Sequence, residues 1–360
     1  MAQLKDYVIV QPKSKIKAGE GLNEGEYKFF TSSNTQSKWL NQYQYDKPAL
    51  IFGTGGMASV HFCDTPFSTS TDCIVMYAKD NFNLEYVYYY LESHMYILEN
   101  GFKGVGLKHI SKEYILSISI PEVDPPQQES LIATTRKVDE IIYARQNQLT
   151  KLDELVKSRF IELFGDPKSN PKGYTKKQLG ETCKVITGNT PSRAVAEYYG
   201  DHIEWIKTDN IVSGLLNPTT ATECLSEKGM TVSRTVESGV ILMACIAGSV
   251  SSIGRVCVTN RKVAFNQQIN AIVPYDYNIL FLYAMLQISK EYLVDGINMA
   301  LKGILSKSKL EEKTFFVPPI ELQEQFAAFV EQTDKSKLAI QESLAKLETL
   351  KKSLMQQYFG

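Results

Sequence analysis

Apolar residues along positions 127–163 recur in alternating steps of four and three: Val138, Ile142, Leu149, Leu152 and Val156 share one line, which Leu163 extends. Arg145 and Arg159 occupy two further steps of that line. Such spacing keeps one stripe of a helix facing a partner, the seam of a heptad coiled coil. A second stretch, 323–358, carries Ile340, Leu344, Leu347, Leu354 and Tyr358 on an equivalent seam, interrupted by Lys351. Phe160 or Leu155 is expected to pack beside the first seam. At about 1.5 Å per residue each run predicts a helix roughly 55 Å long, and the two most simply bury their stripes against each other.

The two stretches are copies. Gln128-Glu129 recurs as Gln323-Glu324, Gln146 as Gln341, Leu149 as Leu344, Lys151-Leu152 as Lys346-Leu347 and Lys157-Ser158 as Lys352-Ser353, all in one register. Each copy follows a proline pair, Pro125-Pro126 or Pro318-Pro319, which stops a preceding strand and sets the first helical turn. A repeat this long divides the chain into two similar halves. The expected organisation is therefore α+β: two similar strand-rich globular domains, 1–124 and 168–317, joined by two long helical segments, 125–167 and 318–360.

Inside the first domain, β-branched and aromatic runs at 7–10, 27–30, 49–52, 73–77 and 115–120 alternate with Gly, Asn, Ser and Asp turns and predict strands. Positions 84–91 predict a helix. Gly53-Thr54-Gly55-Gly56 lacks the spacing of a phosphate cradle and reads as a tight turn. The second domain repeats this outline, with strands at 203–207, 240–247 and 254–258, a segment 264–273 that parallels 67–75, and a helix at 280–288. A glycine-rich basic segment, with Lys103, Lys108 and His109, returns at 296–309 with Lys302 and Lys307. Glycines let backbone approach a partner closely, and these side chains donate to phosphates and base edges.

A chain of 360 residues, 43% hydrophobic, has enough apolar content for two cores. Its net charge of -1 excludes a polycation that binds nucleic acid by bulk charge, so any DNA binding has to come from local basic patches. Six cysteines without a CxxC pair and only four histidines argue against a zinc site and against a secreted disulfide framework. They are expected to be reduced, mostly buried thiols in a cytoplasmic protein. No apolar run approaches the length of a membrane span, and the start of the chain does not read as a signal peptide.

No motif of a hydrolase, nucleotide-binding loop or nuclease stands out, so no catalytic residue and no metal ligand is assigned. Asp124-Pro125-Pro126-Gln127 resembles the [DN]PP[aromatic] element of amino-methyltransferases. Here glutamine stands where an aromatic ring would stack the target base, and no glycine-rich cofactor loop precedes it. Side chains suited to base readout do gather in turns: Ser32, Asn34 and Gln36; Ser192 and Arg193; Gln267 and Gln268. Asn and Gln pair bidentately with adenine and Arg with guanine, each pair giving roughly 1–3 kcal/mol of discrimination.

Several motifs together carry a family resemblance. They are Thr187-Gly188-Asn189-Thr190-Pro191-Ser192, a Trp205-Ile206-Lys207-Thr208-Asp209-Asn210-Ile211 strand, Ser252-Ile253-Gly254-Arg255-Val256, Ala264-Phe265-Asn266-Gln267-Gln268-Ile269, and a Pro-Pro start to each long helix. The first half carries a variant in Tyr27-Lys28-Phe29-Phe30-Thr31-Ser32-Ser33 and Lys108-His109-Ile110-Ser111, without the Gly-x-Thr-Pro element. In order and duplication this resembles the specificity subunit of type I restriction-modification systems across the whole chain. The resemblance implies two target recognition domains, each reading half of a bipartite site in double-stranded DNA, with Lys207 and Arg255 joining the candidate contacts.

It further implies a pseudo-two-fold arrangement in which the long helices pack as an antiparallel coiled coil and dock methyltransferase subunits, two of them, joined by restriction subunits. S-adenosylmethionine would belong to the methyltransferase, ATP and Mg to the restriction subunit, and no cofactor to this chain. The polar seam positions Arg145, Arg159 and Lys351 suggest an outer docking face. Competing readings are a recognition subunit of another restriction or modification class, such as a type IIB or IIG system, a coiled-coil adaptor that binds only proteins, and an unrecognised enzyme.

Overall fold

A computed structural model describes residues 2–80, 82–297 and 303–359. The chain divides into two units, residues 1–144 with 343–360, and residues 145–342. In the first, a four-stranded antiparallel sheet runs in the order Val8–Val10, Cys73–Ala78, Ala49–Gly53, Ser59–Cys63. Its strand Ala49–Gly53 is buried along its whole length, which explains the unbroken apolar run where a half-solvated strand would alternate. A smaller sheet places Tyr27–Phe30 between Lys38–Leu40, antiparallel, and Phe67–Thr69, parallel. Helix Leu84–Ser93 starts at Asn83, whose side chain accepts from the Glu85 amide and so satisfies a donor the first helical turn leaves free.

Two segments differ from the strands their composition predicts. Ser111 Oγ accepts from the Tyr114 amide at 3.1 Å and caps a helix Lys112–Ser117, so only Ser119–Ile120 is strand, paired with Ala2–Gln3. The cap decides the local conformation, and Ile115 reaches the core from the helix, fully buried. Tyr7 closes a short helix, Leu4–Tyr7, and the strand begins at Val8.

The second unit repeats the main elements of the first, with a second sheet of five strands where the first has three. Its four-stranded antiparallel sheet runs Cys183–Thr187, Ile269–Pro274, Ile241–Ala244, Val256–Val258. Its second sheet again holds a parallel pair, Ile203–Ile206 beside Val263–Phe265. Helices Ile279–Ile288 and Lys290–Val294 stand where Leu84–Ser93 and Met95–Glu99 do in the first unit. The region expected as one strand at 240–247 is two, Ile241–Ala244 and Ile246–Ala247. All six cysteines are free thiols, and burial pushes those of Cys183, Cys245 and Cys257 up to about 12.

Each long helix has 40 residues, Pro125–Phe164 and Ile320–Phe359, and contributes one half to each unit. Within the second unit Asp153 pairs with Lys337 and Phe164 packs on Phe326. Residue numbers thus rise along one helix as they fall along the other, so the halves are antiparallel. In the first unit Asp139 pairs with Lys351, while Leu131, Ile132 and Met355 join its core. Val138 is buried, and Ile142, Leu149, Leu152, Val156, Ile340, Leu344, Leu347 and Leu354 are half-buried. Phe160 is fully buried, whereas Leu155 is 48% exposed and does not pack beside the seam.

The proline pairs and the glutamines after them form the helix starts. Gln128 Nε2 donates to the Val123 carbonyl at 2.7 Å, and its counterpart Gln323 donates to the Pro318 carbonyl at 2.8 Å. Gln323 is fully buried and its oxygen also accepts from the Asn278 amide at 2.9 Å. The Asp-Pro-Pro-Gln segment is thus a helix start in this fold, and the next residue, Gln128, clamps the turn that leads into it.

Candidate nucleic-acid interface

In each unit the parallel strand pair ends in a tight turn that gathers the candidate loops. In the first unit the Ser70 amide donates to the Phe30 carbonyl at 2.8 Å, and the turn continues to Asp72. The Asp72 carbonyl accepts from Ser32 Oγ at 2.8 Å and from the Thr54 amide at 2.9 Å. The Gly53–Gly56 turn is thereby tied to the Ser32 loop, with Gly56 at φ +85°, a conformation that favours glycine. The basic loop joins the same cluster: His109 Nδ1 lies 3.1 Å from the Thr54 carbonyl, and the Gly56 amide donates to the Lys108 carbonyl at 3.2 Å.

Sequence alone separates these three loops, and the sheet brings them together. Lys103 and His109 face each other across a two-residue strand pair, and the hairpin between them exposes Val105, Leu107, Lys103 and Lys108 to solvent. Asn34 is exposed on the neighbouring loop. Gln36 is turned back onto its own strand, its amide donating to the Lys38 carbonyl at 2.5 Å. His61, which its sequence context does not mark, holds the Ser33 carbonyl at 2.9 Å, and burial lowers its pKa below the usual 6.5. Its place two strands away in sequence explains why spacing did not reveal it.

The second unit reproduces the arrangement with different chemistry. The Asn266 amide donates to the Ile206 carbonyl at 3.0 Å, as Ser70 does to Phe30 in the first unit. This turn carries Gln267, which is exposed and hydrogen-bonded to Thr190 of the Gly188-to-Ser192 loop. Gly188 is required there, since a Cβ would sit 2.2 Å from the Asn266 carbonyl oxygen. Gln268 is half-buried and committed inward: its side-chain oxygen accepts from Asn266 at 3.3 Å and its carbonyl from the Cys245 amide at 2.8 Å. Strand Ile246–Ala247 pairs with Gly303–Ile304, as Gly55 bridges to His109 in the first unit.

Arg193 and Lys207 are not the free donors their sequence context suggests. Both bond Glu223, Lys207 at 2.5 Å and Arg193 through both terminal nitrogens. The Arg193 guanidinium also lies over the rings of Tyr199 at 4.3 Å and Trp205 at 5.2 Å. Nothing in the local sequence marks Glu223, because the contact closes only when the sheet forms. Ser192 is exposed beside this cluster. Arg255 instead donates to the Ser252 carbonyl at 3.3 Å, and Lys307 pairs with Glu311 at 3.6 Å on its own helix. Lys302 lies outside the described residues. Lys351, expected on an outer docking face, is instead turned into the first unit, against Asp139 and Glu92.

The Arg193 and Lys207 contacts hold the Glu223 carboxyl down at about 2, against an ordinary 4.5. A depressed carboxylate contributes stability above its unfolded pKa and loses it as pH falls through the folded one. The cluster should therefore loosen as pH falls from about 4.5 toward 2. Trp205 fluorescence, read in a Trp39→Phe background, is expected to change across that window, and Glu223→Gln to abolish the change. An identical pH profile in the variant would show that the carboxylate does not hold the cluster.

Among the described residues no group of histidine, cysteine and carboxylate side chains is arranged to hold a metal ion, and no helix is long and apolar enough to cross a membrane.

The family described as Type I restriction modification DNA specificity domain matches residues 1–162 and again 171–352. Over 120 residues, 32% of this chain and 25% of the relative, the chain is 32% identical to the Type I restriction enzyme HindI specificity subunit of Haemophilus influenzae. Over 330 residues, 85% of this chain and 75% of the relative, it is 21% identical to the Type I restriction enzyme MjaIX specificity subunit of Methanocaldococcus jannaschii. Among solved structures, the S subunit of a type I restriction-modification system from M. genitalium aligns with a TM-score of 0.64 at 15% identity, covering 100% of this chain and 95% of that one. A chain from a type I system solved to address complex assembly and conformational transition gives 0.53 at 16% identity, covering 99% and 96%. At these identities the structures share the fold: two similar lobes and two long helices.

Proposed function

The chain belongs to the type I restriction-modification DNA specificity domain family, and from that premise we propose that it is the sequence-reading subunit of a type I complex. Each unit reads one half of a bipartite site in double-stranded DNA, and the long helices dock the methyltransferase subunits. The chain supplies recognition and no chemistry of its own; S-adenosylmethionine is carried by the methyltransferase, and ATP with Mg by the restriction subunits. The observation that carries this reading is the duplicated loop cluster, tied in both units to the turn after the parallel strand pair. Two clusters of the same architecture and different side chains suit two half-sites of different sequence, because phosphate contacts position a protein while base-edge contacts specify it.

Methylation mapping of a host with and without the gene tests the proposal. A bipartite methylated motif is expected to vanish on deletion. Exchanging the loops 187–193 and 266–268 for those of another family member should alter one half of that motif and leave the other intact. A motif that survives deletion, or changes in both halves after the exchange, would count against the reading.

A further inference from the structure

Beside the strand Val256–Val258, a pocket of about 180 Å³ is lined by Ser213, Gly254, Arg255, Val256, Gln287 and Lys290. It holds two cations and no carboxylate. Among the described residues neither cation has a carboxylate partner within ion-pair distance, although most other arginines of this unit have one. Each is instead anchored by one bond to the turn at 249–252: Lys290 Nζ donates to the Ser251 carbonyl at 2.5 Å and Arg255 Nε to the Ser252 carbonyl at 3.3 Å. Those bonds fix both heads at one wall, leaving the terminal guanidinium nitrogens and the remaining ammonium protons as donors. Their proximity is repulsive: burial, and then the Arg255 charge, lower the Lys290 pKa below its ordinary 10.5.

The fold does not require this pair. In the first unit Ser59 stands opposite Gly53, just before the core-facing Val60, where the second unit has Arg255 opposite Ala244, just before the core-facing Val256. Helix Met95–Glu99 likewise opens with Met95 where the second unit has Lys290. The same architecture therefore forms with an uncharged residue at both places. Two like charges placed together without a counter-charge cost folding free energy, and an anion that brings acceptor oxygens to both relieves it.

We propose that Arg255 and Lys290, with Ser213 and Gln287 at the rim, form a binding site for a phosphate oxyanion that takes a backbone phosphodiester of duplex DNA. The assignment to DNA rests on the function proposed above; the phosphate site rests on the pocket itself. A phosphate brings acceptor oxygens and a negative charge to both cations, whereas a base edge can accept from them but carries no charge to offset their repulsion. The charged pair belongs to the second unit, so this unit gains a sequence-independent hold on the duplex at a place where the first has uncharged residues.

The test uses the full chain and the variant Arg255→Ser with Lys290→Met, substitutions that place the first unit's residues at these positions. Binding to a random-sequence duplex is measured across a salt series, and binding of inorganic phosphate by calorimetric titration. The expected result is weaker duplex binding, a salt dependence shallower by about 0.9 for each phosphate the variant no longer neutralises, and disappearance of the phosphate signal. If the wild type binds no duplex but its phosphate signal disappears in the variant, the pocket stands and the DNA-binding function fails. Disappearance of the phosphate signal with duplex binding unchanged assigns the pocket to free phosphate and overturns the DNA assignment. No difference between wild type and a folded variant in either measurement overturns the site.

Discussion

Replacing Phe160 by alanine is expected to destabilise the second unit by about 3–5 kcal/mol. The ring is fully buried, stacked on Phe281 at 5.5 Å and edge-on to Phe326 at 5.5 Å, with Phe164 at 5.1 Å and Phe316 at 6.2 Å. These rings come from both long helices, the buried helix Ile279–Ile288 and the strand Thr314–Phe316. Alanine would open a cavity among elements of rigid, mutually supporting geometry that cannot collapse to fill it. Urea denaturation of the purified chain reads the effect, which should fall on the transition of the second unit. A destabilisation below about 1 kcal/mol would mean that the aromatic cluster is not packed as described.

Lys351→Met should cost the first unit roughly 3 kcal/mol, the low end for breaking a largely buried ion pair. Lys351 Nζ sits 2.8 Å from Asp139 and 3.0 Å from Glu92, its side chain 20% exposed. Removing the cation leaves two carboxylates facing each other on partly buried elements. Burial by itself would lower the Lys351 pKa, but Glu92 and Asp139 outweigh it and hold the pKa above the ordinary 10.5. A lysine raised in this way contributes stability that is complete below its unfolded pKa and lost as pH rises through the folded one. Wild type should therefore lose stability above about pH 10.5 through this group, and the variant should lack that alkaline component. Equal stability of the two proteins at neutral pH would show that the ion pair holds nothing together.

The repeat register places this tie in one unit only. Asp139 corresponds to Asp334 and Lys351 to Val156, so the second unit keeps the acid and lacks the cation. There burial pushes the Asp334 carboxyl above its ordinary 3.8, with Lys337 only partly countering. The polar interruption Lys351 is thus an internal tie of the first unit with no counterpart in the other. Of the three polar seam positions, Arg145 and Arg159 keep their side-chain partners among the described residues, Gln148 and Glu162, on their own helix, and these two remain as candidates for the docking face proposed above.

Periodicity along the chain was enough to reveal the two helices and their duplication, because a helix exposes its partner-facing stripe at a fixed spacing in sequence. Buried strands such as Ala49–Gly53 were legible as continuous apolar runs, and the loop at Gly188 as a turn-rich entry to its domain. Composition misread 115–120, since one serine cap outweighs the β-propensity of the isoleucines that follow. The candidate loops were identifiable as polar turns, but their grouping was not. Ser32, Thr54 and His109 meet through carbonyl and hydroxyl contacts that span much of the first unit, and Glu223 finds Arg193 and Lys207 across two strands. Local pattern therefore determined the elements and the two-fold repetition of the chain. Tertiary structure alone decided which charges are neutralised and which remain to meet a partner, because ion pairing depends on distances of a few ångströms between residues that sequence separation does not constrain.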